Sequence, residues 1–390
     1  MTISYSGNFA KLLLRWKGSI WKTVWKELLA YLLLYYVVRL FYRFALSSTS
    51  SKVLFGKLIE EFDSYTTRIP IMFLLGFYVS AVVKRWWEQF EWLIWPDDVL
   101  SMLCYIMPGG EEETKIRRRA IARYINLTAA LSWREISVKV RKRFPSKRHL
   151  VTAGLLTEQE LQLYNQTPAN SRWFVPLQWA QKLVQDYCEQ ENVPAPLVGQ
   201  FLDLLYHYKL GFRQLHCYDW VCIPLVYTQV AAIATYGYFG LCLVGRQFVD
   251  RIESQEECRL FCVDYYIPLF TILEFLFYVG WFKVGQDLMR PFEEDDDDFE
   301  LNYILDRNIH VSSAMVNNLN NSMPALSDHP SWSRADTIIP HTTISSHQQY
   351  HPPKLHAYVK LKNPEDVETT TEQYCFERAS RKRPKHWRYF

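Results

Sequence analysis

The acidic run at residues 293–298 has the composition of a cation site. Glu293 and Glu294 are followed directly by four aspartates, Asp295 to Asp298. Clustered carboxylates supply the roughly six to eight oxygen ligands that calcium prefers. The run lacks the alternating pattern of an EF-hand loop, and blocks of like charge are often solvated linkers. The residues by themselves leave two interpretations open, a solvated linker and a metal site.

A second pattern is the four-residue spacing of three large apolar side chains, Ile69, Phe73 and Phe77. Residues four apart lie on one face of a helix, with a slow drift around its axis. The commoner interpretation is a stripe that packs in a helix bundle. The alternative is a pore lining, in which several subunits form an apolar constriction and electropositive ring edges tolerate a dehydrated anion. Composition does not choose between them.

Other residue types narrow the class of protein. Glu274 lies within an apolar stretch, either as a functional ionisable group or as a neutral acid hydrogen-bonded to a neighbour. The sequence has no G-x-S-x-G, H-E-x-x-H or P-loop motif, so we predict that the chain is not an enzyme. The 44 Lys and Arg nearly balance the 41 Asp and Glu, which does not favour nucleic-acid binding. The eight cysteines form no CxxC pair and indicate neither a zinc module nor a disulfide scaffold.

Long apolar windows define the elements that must hold these residues. Four windows stand out, at residues 28–46, 69–83, 220–245 and 265–282. A membrane span needs about 20 residues, so the second window is short for a helix that faces lipid and fits better inside a bundle. Together the windows predict an all-α, multi-pass membrane protein with four transmembrane helices.

Basic residues set the predicted orientation of these helices. Residues 1–27 contain five Lys or Arg, and residues 84–148 contain fourteen against eight Asp or Glu. The two short connections, residues 47–68 and 246–264, contain three Lys or Arg each. Because cytosolic loops carry the excess of positive charge, we predict that both termini and residues 84–219 lie in the cytosol.

The remaining segments differ in character. Residues 84–219 mix apolar and charged side chains at helical spacing, which predicts a large helical cytosolic region. Polar residues and prolines dominate beyond residue 312 and predict a disordered tail. The predicted organisation is an N-terminal segment (1–27), a first transmembrane hairpin (28–83), the cytosolic region (84–219), a second hairpin (220–284), an acidic segment with its extension (285–312) and the tail (313–390).

Several blocks of the sequence are similar to those of the bestrophin family. They are WKGSIWK at residues 16–22, RIPIMFLLGFYVSAVVKRWW at 68–87, RFPSKRHLVTAG at 143–154, YDWVCIPLVYTQV at 218–230, LVGRQF at 243–248, FYVGWFKV at 277–284 and DDDDFELNYILDRN at 295–308. The blocks occur in family order and cover residues 1–312, whereas the tail lies outside the resemblance. Several long blocks in one order make a far more specific match than a single short motif.

The resemblance implies a homopentameric chloride channel of the plasma membrane, opened by cytosolic calcium and permeable to other monovalent anions. In the family, the stretch that here carries Ile69, Phe73 and Phe77 lines a narrow pore neck. This favours the pore interpretation of that spacing. The family also has a lower cytosolic constriction, which corresponds here to Leu197.

The resemblance also assigns ligands to a regulatory calcium ion. The first and fourth aspartates of the run contribute side chains in the family, and these are Asp295 and Asp298 here. Main-chain oxygens at the positions of Asp287 and Arg290 add to them. The resemblance therefore favours the metal site over the solvated linker, with chloride as the permeant ion and the lipid bilayer and copies of the same chain as partners.

A few positions depart from the family pattern. The chain is shorter than usual between Ser6 and Phe9, beside a further carbonyl ligand, and Glu293 and Glu274 replace a usual glycine and a usual amide. Two alternatives therefore stay open, a non-conducting membrane regulator or scaffold and a channel that opens without calcium. A basic cluster near the C-terminus is a candidate contact for anionic lipid. It consists of Arg381, Lys382, Arg383 and Lys385.

Overall fold

The computed structural model describes residues 9–46, 48–248, 267–319 and 324–325. Every regular element in these ranges is a helix, which confirms the all-α fold class. The chain divides into two compact units, Met1–Ser322 and Met323–Phe390, and the described helices lie in the first. They are α1 (Phe9–Leu13), α2 (Ile20–Phe44), α3 (Thr49–Thr66), α4 (Ile71–Glu91), α5 (Asp97–Ile106), α6 (Glu112–Ile136), α7 (Val138–Arg143), α8 (Lys147–Thr152), α9 (Glu158–Gln166), a 3-10 helix (Ala169–Phe174), α10 (Val175–Gln190), α11 (Ala195–Trp220), α12 (Leu225–Gly245), α13 (Leu269–Asp287) and α14 (Leu301–Ala314).

The start of α2 is set by a glycine turn and a serine cap. Gly18 has a positive φ of 65°, and the Ser19 hydroxyl accepts a hydrogen bond from the Lys22 N–H at 3.4 Å. The helix then continues for 25 residues, or about 38 Å. It begins before the apolar window at residues 28–46, because a cap rather than hydropathy decides where a helix starts.

Residues 47–68 are more structured than the short connection that the sequence predicted. Most of them form α3, which Ser48 caps through a hydrogen bond from the Ser51 N–H at 3.3 Å. Charged side chains on α3 lower the mean hydropathy of the segment, so a search for apolar windows passes over it. A break around Pro70 separates α3 from α4.

Four helices form what we call the apolar bundle, namely α2, α4, α12 and α13, with α3 packed on α12. Its core is rich in aromatic rings, including Tyr31, Phe239 and Phe275, whose centroids lie 4.8–5.7 Å apart. Glycine lets the helices approach closely, because a Cβ on Gly285 would lie 2.7 Å from the Tyr78 ring. The bundle is therefore held by close helix contacts and ring packing.

Length and composition single out few of these helices as possible membrane spans. Among the described residues, α12 qualifies on its own, and α3 and α4 qualify together as a pair bent by 41°. Membrane helices can carry polar groups where they face other helices, and such groups lower hydropathy. The count of four transmembrane helices stays a prediction.

The second body of packed side chains, which we call the helical layer, is built around α6. This helix contacts α10, α11 and α14, and most of its second half is buried. The core contains the fully buried Trp133, Phe201 and Tyr208. The structure confirms that residues 84–219 are helical; their cytosolic location stays a prediction.

The described part of the chain ends a little beyond α14. A π-helical turn, Met315–Leu319, continues the helix, so the first residues of the segment predicted to be disordered are ordered. The basic cluster from Arg381 to Lys385 lies outside the described residues, as do residues 1–8, where the chain departs from the family length.

Candidate pore-lining face and acidic segment

The structure places Phe73 and Phe77 side by side on the outer face of α4. Their ring centroids are 4.7 Å apart in an edge-to-face arrangement, and the side chains are 64% and 59% exposed. We call this the phenyl pair. Ile69 lies outside α4, because it precedes Pro70 and the helix begins only at Ile71; its place in the pore neck stays a prediction. A residue before proline is disfavoured in the α conformation, so the three-residue stripe becomes two rings and a half-buried isoleucine in the preceding turn.

A different face of α4 packs inside the chain. Leu75, Tyr78, Val79 and Val82 follow helical spacing and lie in the core of the apolar bundle. The phenyl pair is therefore not the stripe that packs within this chain. An open apolar cleft of about 360 Å³ runs beside it, between α4 and α12. The cleft is lined by Phe73, Leu74, Phe77, Tyr78, Tyr227, Val230 and Ala231.

The acidic segment, residues 293–298, is anchored by the aromatic residues on either side of it. Phe292 and Phe299 are buried in the core of the helical layer, and the Phe299 N–H donates to the Pro291 carbonyl at 2.8 Å. The Phe299 ring stacks on Trp86 at 5.2 Å and lies 5.6 Å from Phe90, both near the end of α4. The segment is thus joined directly to the helix that carries the phenyl pair.

Asp298 is the buried carboxylate of the segment. It is 2% exposed, and its Oδ2 accepts a hydrogen bond from the Asp295 N–H at 2.7 Å. Burial, with the nearby negative charges of Asp295 and Glu293, raises the pKa of Asp298 to about 7 against the opposing effect of that hydrogen bond. A cation bound beside this buried carboxylate would strongly stabilise its charged form.

Asp296 faces the other way and already has a partner. Its Oδ2 lies 2.5 Å from the Lys22 ammonium and accepts a hydrogen bond from the Gly18 N–H at 3.1 Å. The hydrogen bond from Lys22 holds the pKa of Asp296 below its usual value. Sequence reasoning missed Lys22, because no local pattern connects residue 22 with residue 296.

Further lysines connect the same region to α7. Lys142 pairs with Glu294, and the Lys139 ammonium lies 2.6 Å from the Glu300 carboxylate. Arg290 pairs with Glu293 at 3.3 Å. The acidic segment is therefore fixed from several sides by exposed or half-exposed ion pairs, each of which is individually weak.

The residues fit calcium through the chemistry of their oxygen donors. The Asp298 carboxylate accepts a hydrogen bond from the Asp295 main chain, and the charges of Asp295 and Asp297 act on the half-buried Asp287 carboxyl. Among the described residues, no group of three or more His, Cys, Asp or Glu side chains is arranged to hold a metal ion. Because calcium takes about six to eight oxygens, a calcium site here would need main-chain carbonyls as well, as the family resemblance implies for Asp287 and Arg290.

Two other predicted residues lie in packed surroundings. Leu197 is half-buried at the start of α11 and packs on the core of the helical layer. Glu274 accepts a hydrogen bond from the Tyr238 hydroxyl at 3.3 Å and lies 3.8 Å from Arg246, which also contacts Asp63 at 3.2 Å. These contacts favour the structural interpretation of Glu274.

Comparison with known proteins decides the family. A family described as "Bestrophin, RFP-TM, chloride channel" matches residues 1–318. The chain belongs to the bestrophin family. It is 49% identical to bestrophin homolog 13 of Caenorhabditis elegans, over 93% of each chain. It is 40% identical to human bestrophin-1, over 89% of this chain and 60% of the human protein.

The fold agrees with solved bestrophin structures. A bacterial bestrophin homolog from Klebsiella pneumoniae superposes with a TM-score of 0.54, covering 76% of this chain and 98% of the bacterial one at 16% identity. The bestrophin family is one of membrane channels, so this bestrophin is a membrane protein and not an enzyme.

Proposed function

We propose that this bestrophin is a calcium-activated chloride channel of the plasma membrane, assembled as a homopentamer with four transmembrane helices per subunit and cytosolic termini. The observation that carries the proposal is the exposed phenyl pair on α4, opposite a face that is fully packed in the bundle. Two adjacent exposed phenyl rings on a lone subunit must be covered by lipid or by other subunits. Five copies around an axis give them a function as an apolar neck.

The neck would conduct by accommodating anions at the edges of its rings. Phenyl edges carry partial positive charge, so an anion that sheds water meets a favourable field where a cation does not. An apolar constriction also closes readily by losing its water, which makes it a suitable gate. Monovalent anions other than chloride fit the same chemistry.

Calcium would act through the acidic segment. Asp295 and Asp298 would hold the ion through their side chains, together with main-chain oxygens near Asp287 and Arg290. At the buried Asp298 carboxylate, a bound cation would add to the positive charge of Lys139. Because Phe299 follows Asp298 directly and stacks on α4, ordering of the segment biases the position of the neck helix.

Anion current from the purified chain in planar bilayers tests this function, with bath calcium stepped from nanomolar to micromolar. We expect chloride current that rises with calcium. Current without calcium dependence would keep the channel and reject the calcium site. Absence of current from a correctly assembled pentamer would reject the channel function and favour a non-conducting membrane regulator.

A further inference from the structure

We propose that Lys84 is a specificity-determining residue of this channel, forming a ring of positive charge on the cytosolic side of the phenyl neck. The proposal rests on the proposed function, since it takes α4 as the neck helix. It adds an electrostatic element to a neck whose rings are apolar. The argument depends on where Lys84 lies on α4 and on what its ammonium contacts.

Helical geometry aligns Lys84 with the phenyl pair. At 3.6 residues per turn, Phe77 is rotated by about 40° from Phe73, and Lys84 by about 20°. Lys84 therefore projects between the directions of the two rings. The seven residues from Phe77 to Lys84 correspond to about 10 Å along the axis. Lys84 is also the first charged residue of α4, after thirteen residues without charge.

The Lys84 side chain keeps its charge available. It is 78% exposed, and its ammonium lies 3.9 Å from Glu88, at the limit of an ion pair. Glu88 is turned toward α11, where it accepts a hydrogen bond from the Tyr218 hydroxyl at 3.0 Å. Little of the Lys84 charge is therefore neutralised by its own helix.

Arg85, the next residue, is a cation that packs between helices, whereas the Lys84 ammonium is exposed. Arg85 points about 100° away from Lys84, donates to the Tyr218 carbonyl and stacks on the Tyr218 ring at 5.1 Å. Arg85 thus joins α4 to α11. Lys84 has no comparable role in packing, although it stands one residue earlier in the same helix.

The order of side chains along this face suits anion passage. From the phenyl pair toward the end of α4, the face presents the rings, then Lys84, and then Glu91, which accepts a hydrogen bond from the Trp87 indole at 2.8 Å. A positive ring next to an apolar constriction raises the local concentration of anions and lowers that of cations. Glu91 lies about 10 Å farther on and is exposed, so salt screens its charge.

The test compares charge variants at Lys84 with a matched control in planar bilayers of the full-length chain. Lys182 on α10 is the control, since it is 64% exposed and pairs with Asp186 at the same i,i+4 spacing, with 2.7 Å between them. We expect Lys84→Gln to reduce chloride conductance at low salt several-fold, Lys84→Glu to reduce it further and weaken anion over cation selectivity, and Lys84→Arg to conduct normally. The loss should shrink at high salt, where screening is strong. Lys182→Glu should change none of these quantities.

Unchanged conductance and reversal potential in Lys84→Glu at low salt would overturn the proposal while leaving the channel itself intact. Absence of current from the unsubstituted parent chain would instead reject the proposed function. If the acidic variant fails to assemble, Lys84→Cys replaces it, with the parent chain treated in parallel. A cationic thiol reagent should restore current and an anionic one should reduce it, and equal responses to both reagents would also overturn the proposal.

Discussion

The apolar bundle and the helical layer are built from the same kind of helix but differ in what they leave at the surface. In the helical layer the largest apolar side chains, such as Trp133 and Phe201, are fully buried. In the apolar bundle many remain outside, among them Leu29, Phe41 and Ile233, the last 72% exposed. Soluble proteins rarely expose continuous apolar surface of this kind. The layer completes its own core, whereas the bundle requires lipid or neighbouring subunits to cover it.

The largest expected effect comes from the core of the helical layer. Trp133→Ala removes a fully buried indole, and we expect it to lower the free energy of unfolding by about 3–5 kcal/mol. Leu29→Ala, on the outer surface of the bundle, should change it by under about 0.5 kcal/mol. Chemical denaturation of both variants in detergent measures the difference. Equal losses would contradict the distinction between the two regions.

The phenyl pair tests whether the exposed surface of the bundle has a function. Phe73→Ala combined with Phe77→Ala should widen conduction and loosen gating, with calcium-free open probability rising on the order of tenfold, or ~1.4 kcal/mol. Met72→Ala is the matched control, since Met72 is equally exposed on another side of α4. Single-channel recordings measure the change. Unchanged currents in the double variant would reject the neck.

The carboxylate at the junction of the two regions predicts a pH dependence. Asp298, with its pKa raised to about 7, is increasingly protonated as pH falls through 7, so more calcium should be needed for opening at pH 6 than at pH 8. Without calcium, the folded state binds this proton more tightly than the unfolded chain. Stability should therefore decline as pH rises from about 4 to about 7.

Calcium titration of the current at several pH values checks this prediction. Asp298→Asn should raise the calcium requirement and remove its pH dependence. Asp296→Asn should keep the dependence, because pairing with Lys22 lowers the pKa of Asp296. A parent chain whose calcium midpoint does not move between pH 6 and 8 would exclude Asp298 as a ligand.

The smallest effect is expected at the ion pair between α2 and the acidic segment. Lys22→Gln leaves Asp296 without its ammonium partner, so calcium binding must supply slightly more of the ordering of the segment. We expect a calcium midpoint about twofold higher and a melting temperature close to that of the parent. Lys26→Gln, one turn farther along α2, is the control. Identical midpoints in both variants would show that the pair does not contribute.

The sequence predicted the helical class, but it did not predict the three-dimensional relations among the residues of the two candidate sites. Apolar windows are a local property, so the sequence predicted the helix that carries Phe73 and Phe77. The position of Ile69 outside α4 follows from Pro70, a local signal that the four-residue spacing obscured. Lys22 and Asp296 are far apart in the chain, so no periodic pattern in the sequence predicts that they pair. The burial of Asp298 depends likewise on how Phe292 and Phe299 enter the layer.

The Phe299 ring stacks on Trp86 and contacts Phe90, so it is packed directly against the C-terminal part of α4. Phe299 is adjacent in sequence to Asp298. The N-terminal part of α4 carries Phe73, about 26 Å along the helix axis from Phe90. An α-helix is difficult to compress along its axis. A displacement of one end therefore moves the other end as well, by tilting or translating the whole helix. In the proposed mechanism, these ring contacts would convert the binding of a small ion at the acidic segment into movement of the neck more than two nanometres away, without any flexible linker between them.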